Sequence, residues 1–193
     1  PVSCVEAGRW SRRTPEFQSS GRSMYARGRA AKVAQVSMSM RSGHSRSDQS
    51  EVWRDISEKA ERMSVASETQ AMSDIYESRG EKLDTYLTEF SVTENQIGAM
   101  FEIDGAVAGL DLFDREGTLL RVLPKLVRSY ALDAVEVSAS QKKEASNERA
   151  ANFFGLMAEA VVERFPAAGL GEDFRLTGWS VSGGALNVEG AIV

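Results

Sequence analysis

The 193-residue sequence holds one cysteine and one histidine, and each scarcity removes a class of chemistry. Cys4 alone cannot form a disulfide within the chain or supply a cysteine-rich zinc site. His44 alone excludes two-histidine metal sites and histidine relays, and its Ser/Arg-rich surroundings at 41–48 read as a solvated loop. Proline is rare, at four residues, and only Pro124 falls inside a helical pattern, where a kink or a restart is expected. No apolar run nears the ~20 residues of a membrane-spanning helix. No basic leader with a long apolar stretch stands at the start. These absences point to a cytoplasmic protein of ordinary globular composition.

What is present divides by charge. Residues 1–50 carry nine Lys/Arg against three Asp/Glu, whereas the rest carries fourteen against twenty-five. Such a basic opening can track a phosphate backbone. No nucleic-acid module accompanies it, so docking on the protein's own acidic helices is the favoured reading and nucleic acid is disfavoured.

The chain opens at Pro1 directly as a strand, with Cys4 and Glu6 on one face, so the sequence reads as a single domain over 1–193 that lacks an N-terminal portion. Helix formers over 23–34 and apolar–polar alternation over 35–40 predict a short helix, then a strand. A helix is expected from Ser47 or Asp48 to Met63, with Val52, Trp53, Ile56 and Ala60 inward. Ser67 to Gln70 has the capping-box form and opens another, ended by Gly80. Runs 96–104 and 106–113 about Asp104 and Gly105 predict a hairpin. Asp114 is expected to cap a helix to Ala134, and Asn147 to start one reaching Phe165. Gly183 and Gly184 are expected to turn a second hairpin. The assembled class is α+β: antiparallel hairpins packed with a layer of four or five helices.

The densest chemistry is PVSCVEAGRW at 1–10. It sets a thiol and a carboxylate on one face, with a guanidinium fork (Arg9) and an indole (Trp10) just beyond. A buried cysteine beside a Glu6–Arg9 ion pair is the plain alternative. Gln49 and Trp53, one helical turn apart, can grip a nucleobase, though a core Trp53 is favoured. Glu102, Asp104, Asp111 and Asp114 are oxygen donors suited to Mg²⁺ or Ca²⁺, but turn and cap chemistry is favoured. No metal or cofactor is therefore assigned. GLGED at 169–173 and SGGAL at 182–186 lack the strand–turn–helix setting of a phosphate loop.

PVSCVEAGRW, with SDQSEVW at 47–53 and IGAMFEIDGAVAGLDLF at 97–113, resembles the ADP-ribosylglycohydrolase- and rhodanese-phosphatase-associated protein domain, a bacterial family. The matching positions are Cys4, Glu6, Arg9, Trp10, Gln49, Trp53, Gly105, Asp111 and Phe113. The resemblance implies further sequence upstream and a link to ADP-ribose or NAD metabolism. On that footing Arg9 would hold a phosphate and Trp10 would stack. Glu6 would act as acid/base or orient a ribose hydroxyl, and Cys4 would be nucleophile or wall. Gln49, Trp53 and Asp111 complete the candidate ligand set. A non-catalytic scaffold or interaction module is the alternative.

Overall fold

The structure is a computed structural model that describes residues 22–44, 46–67, 71–137, 144–167, 169–188 and 191–192. Among them, six helices and two antiparallel sheets make an α+β fold. Helices α1 (Ala26–Arg41), α2 (Gln49–Arg62), α3 (Met72–Ser78) and α4 (Gly80–Glu89) precede the hairpin β1 (Gly98–Ile103) and β2 (Ala106–Leu112). Then follow α5 (Glu116–Glu136), α6 (Asn147–Ala158) and strands β3 (Val161–Pro166), β4 (Glu172–Thr177), β5 (Ser182–Val188) and β6 (Ala191–Ile192). The second sheet has the order β3-β4-β5-β6.

Helix α5 is the axis. Its N-terminal half buries Leu119, Leu123, Leu126 and Val127 against Ala99, Phe101 and Phe113 of the hairpin region and Tyr86 and Leu87 of α4. Its C-terminal half gives Ala131 and Leu132 to a core built with Tyr25, Val52, Ile56, Met72, Ile75, Tyr76 and Leu83. Pro124 lies inside a continuous helix, so neither restart nor break occurs there. Helix α1 packs between α5 and the second sheet, where Arg41 reaches Glu163 of β3 at 2.5 Å. Arg149 of α6 binds Glu102 of β1 at 2.8 Å.

Several elements depart from their local pattern. Residues 35–40 are helical, because Val36 and Ser37 are buried as part of α1 and the alternation is too short to compete. The cap residue of α3 is Ala71, and the Ser67 hydroxyl instead donates to Asp74 in the helix's first turn. Gly80 opens α4 rather than ending α3, with only Arg79 between them. Asp114 does not cap α5 through its side chain; its carboxylate takes the Thr118 hydroxyl at 2.8 Å and Arg115 at 2.5 Å. The expected helix to Phe165 stops at Ala158, because Val161–Pro166 pairs along its whole length with β4. Gly183 and Gly184 sit inside β5 under Leu176 and Arg175, and the chain turns earlier, where Gly178 N–H meets Val181 O at 2.8 Å.

The first hairpin forms where expected. Asp104 and Gly105 both take positive φ, 51° and 75°, the pair of left-handed residues that a tight two-residue turn demands. A bulge shifts the register between Phe101 and Glu102, so strict alternation does not carry Val107 onto the face of Gly109 and Asp111. Gly109 lies against the buried Tyr130, whose ring stacks on Phe101 at 3.9 Å. A methyl at position 109 would land on the Tyr130 hydroxyl. Gly109→Ala is therefore expected to destabilise the domain by about 1–3 kcal/mol, read as a lowered urea midpoint with unchanged slope.

Candidate functional site

A charged residue interrupts the apolar stripe of each of two helices. On α2, Lys59 follows Val52 and Ile56 at helical spacing, and on α5, Asp133 follows Leu126 and Tyr130. Both are fully buried and meet with Lys59 Nζ donating to Asp133 Oδ1 at 2.7 Å. Lys59 also donates to Glu136 Oε2 at 2.6 Å and lies 4.2 Å from the centre of the Tyr25 ring. The second oxygen of Asp133 accepts the backbone N–H of Arg27 at 2.8 Å. Helix α1 has no side-chain cap of its own and no acidic residue in its first turn. The α5 carboxylate fills that role, and it also complements the positive end of the helix.

Above this network, α1, α2 and α5 enclose a cleft of about 450 Å³. It is lined by Tyr25, Arg27, Gly28 and Ala31 from the α1 end, Asp55, Glu58 and Arg62 from α2, and Asp133 and Glu136 from α5. Most of these charges already have partners. Arg62 binds Glu136, and Asp55 holds Lys32 at 3.1 Å. Glu58 has only a loose pair with Arg54 at 3.7 Å. Arg27 is different: among the described residues its guanidinium has no ion pair or hydrogen bond, although its backbone is anchored.

The titration directions follow from that packing. Burial, then the negative Asp55, pushes the Tyr25 hydroxyl up to about 12. It is thus a neutral donor at physiological pH, and it bonds the Asp55 carbonyl at 3.3 Å. Burial works to raise the Glu136 carboxyl, but hydrogen bonds from Lys59 and Arg62 outweigh it and hold the group below its ordinary 4.5.

The candidates from sequence fall in three places. Cys4, Glu6, Arg9 and Trp10 lie outside the described residues. Gln49 and Trp53 are half-buried on a different face of α2 from Asp55, Glu58 and Arg62, so the fold does not bring them to the cleft. Trp53 is also not part of the buried core; the inward stripe of α2 is Val52, Ile56, Lys59 and Ala60. Asp111 accepts the Tyr130 hydroxyl at 2.8 Å and pairs with Arg29 at 3.8 Å, apart from the cleft. Burial, then the Asp111 charge, raises the Tyr130 hydroxyl, so this pair keeps one shared proton on the tyrosine.

Three of the four acidic residues considered for a metal are engaged separately, Glu102 on Arg149, Asp111 on Tyr130 and Asp114 on Thr118, and Asp104 forms the hairpin turn. Among the described residues no group of three His, Cys, Asp or Glu side chains could hold a metal ion. Within the described part of the basic opening, Arg22 pairs with Glu77, Lys32 with Glu51 and Asp55, and Arg41 with Glu163. Among the described residues no helix is long and apolar enough to cross a membrane.

Of the residues at the cleft and the network beneath it, Tyr25 and Arg27 belong to the basic opening read as able to track phosphate, whereas Lys59, Arg62, Asp133 and Glu136 belong to no sequence motif, although Lys59 and Asp133 carry a usable signal. Opposite charges on the apolar stripes of two helices mark a buried pair before any coordinates are known.

Fold and site together define an α+β domain whose three-helix junction carries a charge-lined cleft over a buried ion network. Over residues 1–193 the chain matches the ARG and Rhodanese-Phosphatase-superfamily-associated Protein domain, and it belongs to that family. No curated protein and no solved structure matches it.

Two outcomes follow from the network. Asp133→Ala removes one of the two carboxylates holding the buried Lys59 and uncaps α1, and is expected to cost about 3 kcal/mol, whereas Asp133→Asn keeps an acceptor for Arg27 and costs less; urea unfolding separates them. Because the Glu136 value is depressed on folding, its contribution is complete above pH 4.5 and is lost as pH falls below that. Glu136→Gln is therefore expected to flatten the acid limb of a stability–pH profile, and an unchanged limb would contradict the assignment.

Proposed function

We propose that this domain acts inside the cell by binding, and with its N-terminal motif processing, a phosphate-bearing nucleotide derivative of the ADP-ribose or NAD kind. The observation that carries the reading is the unpaired guanidinium of Arg27 in a cleft where the other arginine, Arg62, is already spent on Glu136. An unpartnered guanidinium at the wall of a cleft in the usual ligand-binding size range is a natural phosphate holder. Glu58, only loosely held, and Asp55 offer acceptors for ribose hydroxyls. The family's association with ADP-ribosylglycohydrolase and rhodanese-phosphatase proteins supports the same ligand class. In this reading Arg9 and Trp10 add a second phosphate contact and a stacking surface, Glu6 the acid/base, and Cys4 a nucleophile or wall. Gln49, Trp53 and Asp111 serve as outlying contacts or stay structural.

A non-catalytic interaction module is the second reading, favoured by the exposed Phe154, Val161, Val162, Leu170 and Trp179 of the C-terminal region. Calorimetric titration of the whole chain with ADP-ribose and with NAD separates the two. Binding is expected, weakened about tenfold by Arg27→Ala, equivalent to ~1.4 kcal/mol, with the melting temperature unchanged; Glu6→Gln and Arg9→Ala probe the motif. Absence of heat with both ligands would remove the nucleotide reading.

A further inference from the structure

Strand β3 is the outer strand of its sheet, and among the described residues no strand pairs with its free side. It is six residues long and leaves Val161 61% and Val162 53% exposed, on opposite faces. Native sheets blunt such an edge with charge, a bulge or a covering element, because its open N–H and C=O groups recruit another strand. On this strand the charges are engaged within the same copy, Glu163 by Arg41 at 2.5 Å and Arg164 over the Phe174 ring at 5.1 Å, and Pro166 blunts only its end.

The direction of the backbone can be followed from the loop beyond. Ala167 donates its N–H to Gly171 O at 3.2 Å, toward β4. Alternation then turns Val161, Glu163 and Phe165 toward β4, and Val162, Arg164 and Pro166 outward. The proline, lacking an N–H, therefore sits where no ladder bond to β4 is lost. Two intact residues, Val162 and Arg164, present free donors and acceptors.

We infer that this edge is where two copies of the chain meet, β3 pairing antiparallel with β3 of the partner about a two-fold axis at Glu163. That register sets Val162 opposite the partner's Arg164 and the reverse, which makes four backbone hydrogen bonds from the two outward residues of each copy. It also sets Val161 opposite the partner's Phe165 on one face, twice, an apolar–aromatic cross-strand contact. Two glutamates meet at the axis, but each is already neutralised by Arg41 at 2.5 Å. Shifting the strand by two residues toward Pro166 would put a residue with no N–H opposite Val162, which disfavours that alternative. A closed two-fold arrangement of this kind uses up the β3 edge of each copy, so that this contact does not propagate.

Sedimentation of the whole chain from micromolar to sub-millimolar concentration, combined with amide exchange, tests the inference without reference to the ligand. Mass is expected to rise from 21.1 kDa to twice that value. The amides of Val162 and Arg164 are expected to gain protection with concentration, while those of Val161 and Glu163 stay protected throughout. Val162→Lys is expected to weaken the dimer at least tenfold, and Leu112→Lys, on the other sheet, to leave it intact. A monomer at every concentration would overturn the proposal. So would a dimer in which the Val162 and Arg164 amides exchange freely, or a monomer in which they are already protected by another segment of the chain.

Discussion

The Asp133 carboxylate is the joint on which the helical part of this protein depends. One of its oxygens takes the buried ammonium of Lys59 and the other takes the first-turn amide of Arg27. The consecutive helices α1 and α2 and the much later α5 are thereby tied to a single group that water cannot reach. A carboxylate buried without such partners would carry a large desolvation cost. Here the cost is offset by a charge-assisted bond, a backbone bond and the neighbouring Tyr25 ring over the same ammonium. Such an arrangement contributes little net stability compared with an apolar core of equal volume. What it does impose is geometry: α1, α2 and α5 can meet in only one rotational setting that satisfies every donor.

That setting is also what opens the cleft. Lys59 holds Asp133 and Glu136 beneath the cleft, and polar residues of α1, α2 and α5 face each other across it. Arg62 is consumed in fixing Glu136 and Lys32 in fixing Asp55, so the charges of the wall are largely balanced internally. The Arg27 side chain is left over, on a backbone that cannot drift because its amide is held by Asp133. Its exposed guanidinium is free to turn toward a ligand from that fixed point of attachment.

The second sheet obeys a different constraint. It is anchored to the helical part through Arg41 and Glu163 and through packing on α1, and it leaves much of its apolar surface outside. Arg164 covers the Phe174 ring at 5.1 Å on one face, yet Val161 and Val162 stay open. Buried charge thus organises one end of the molecule, and an unfinished sheet edge dominates the other.

The α+β class, the α2 helix with its Asp48 cap, the Asp104–Gly105 hairpin and the long α5 helix are all legible in sequence, because each rests on contacts within a few residues. Asp48, for instance, accepts the Ser50 amide at 2.8 Å, a bond the local chain makes unaided. Residues 161–166 and the paired glycines of β5 were not legible, since their conformation depends on partners in β4 and on the space that Arg175 requires. The site divides in the same way. Sequence singled out Asp111 as a carboxylate on an unexpected face, and that carboxylate is bound to Tyr130. By residue order alone Lys59 and Asp133 stand on the apolar stripes of α2 and α5, outside every motif named above, so that each helix must bury a charge. Only the tertiary structure decided that the two charges, 74 residues apart, bury each other, because nothing short of packing two helices together can tell a lysine which carboxylate will replace its water.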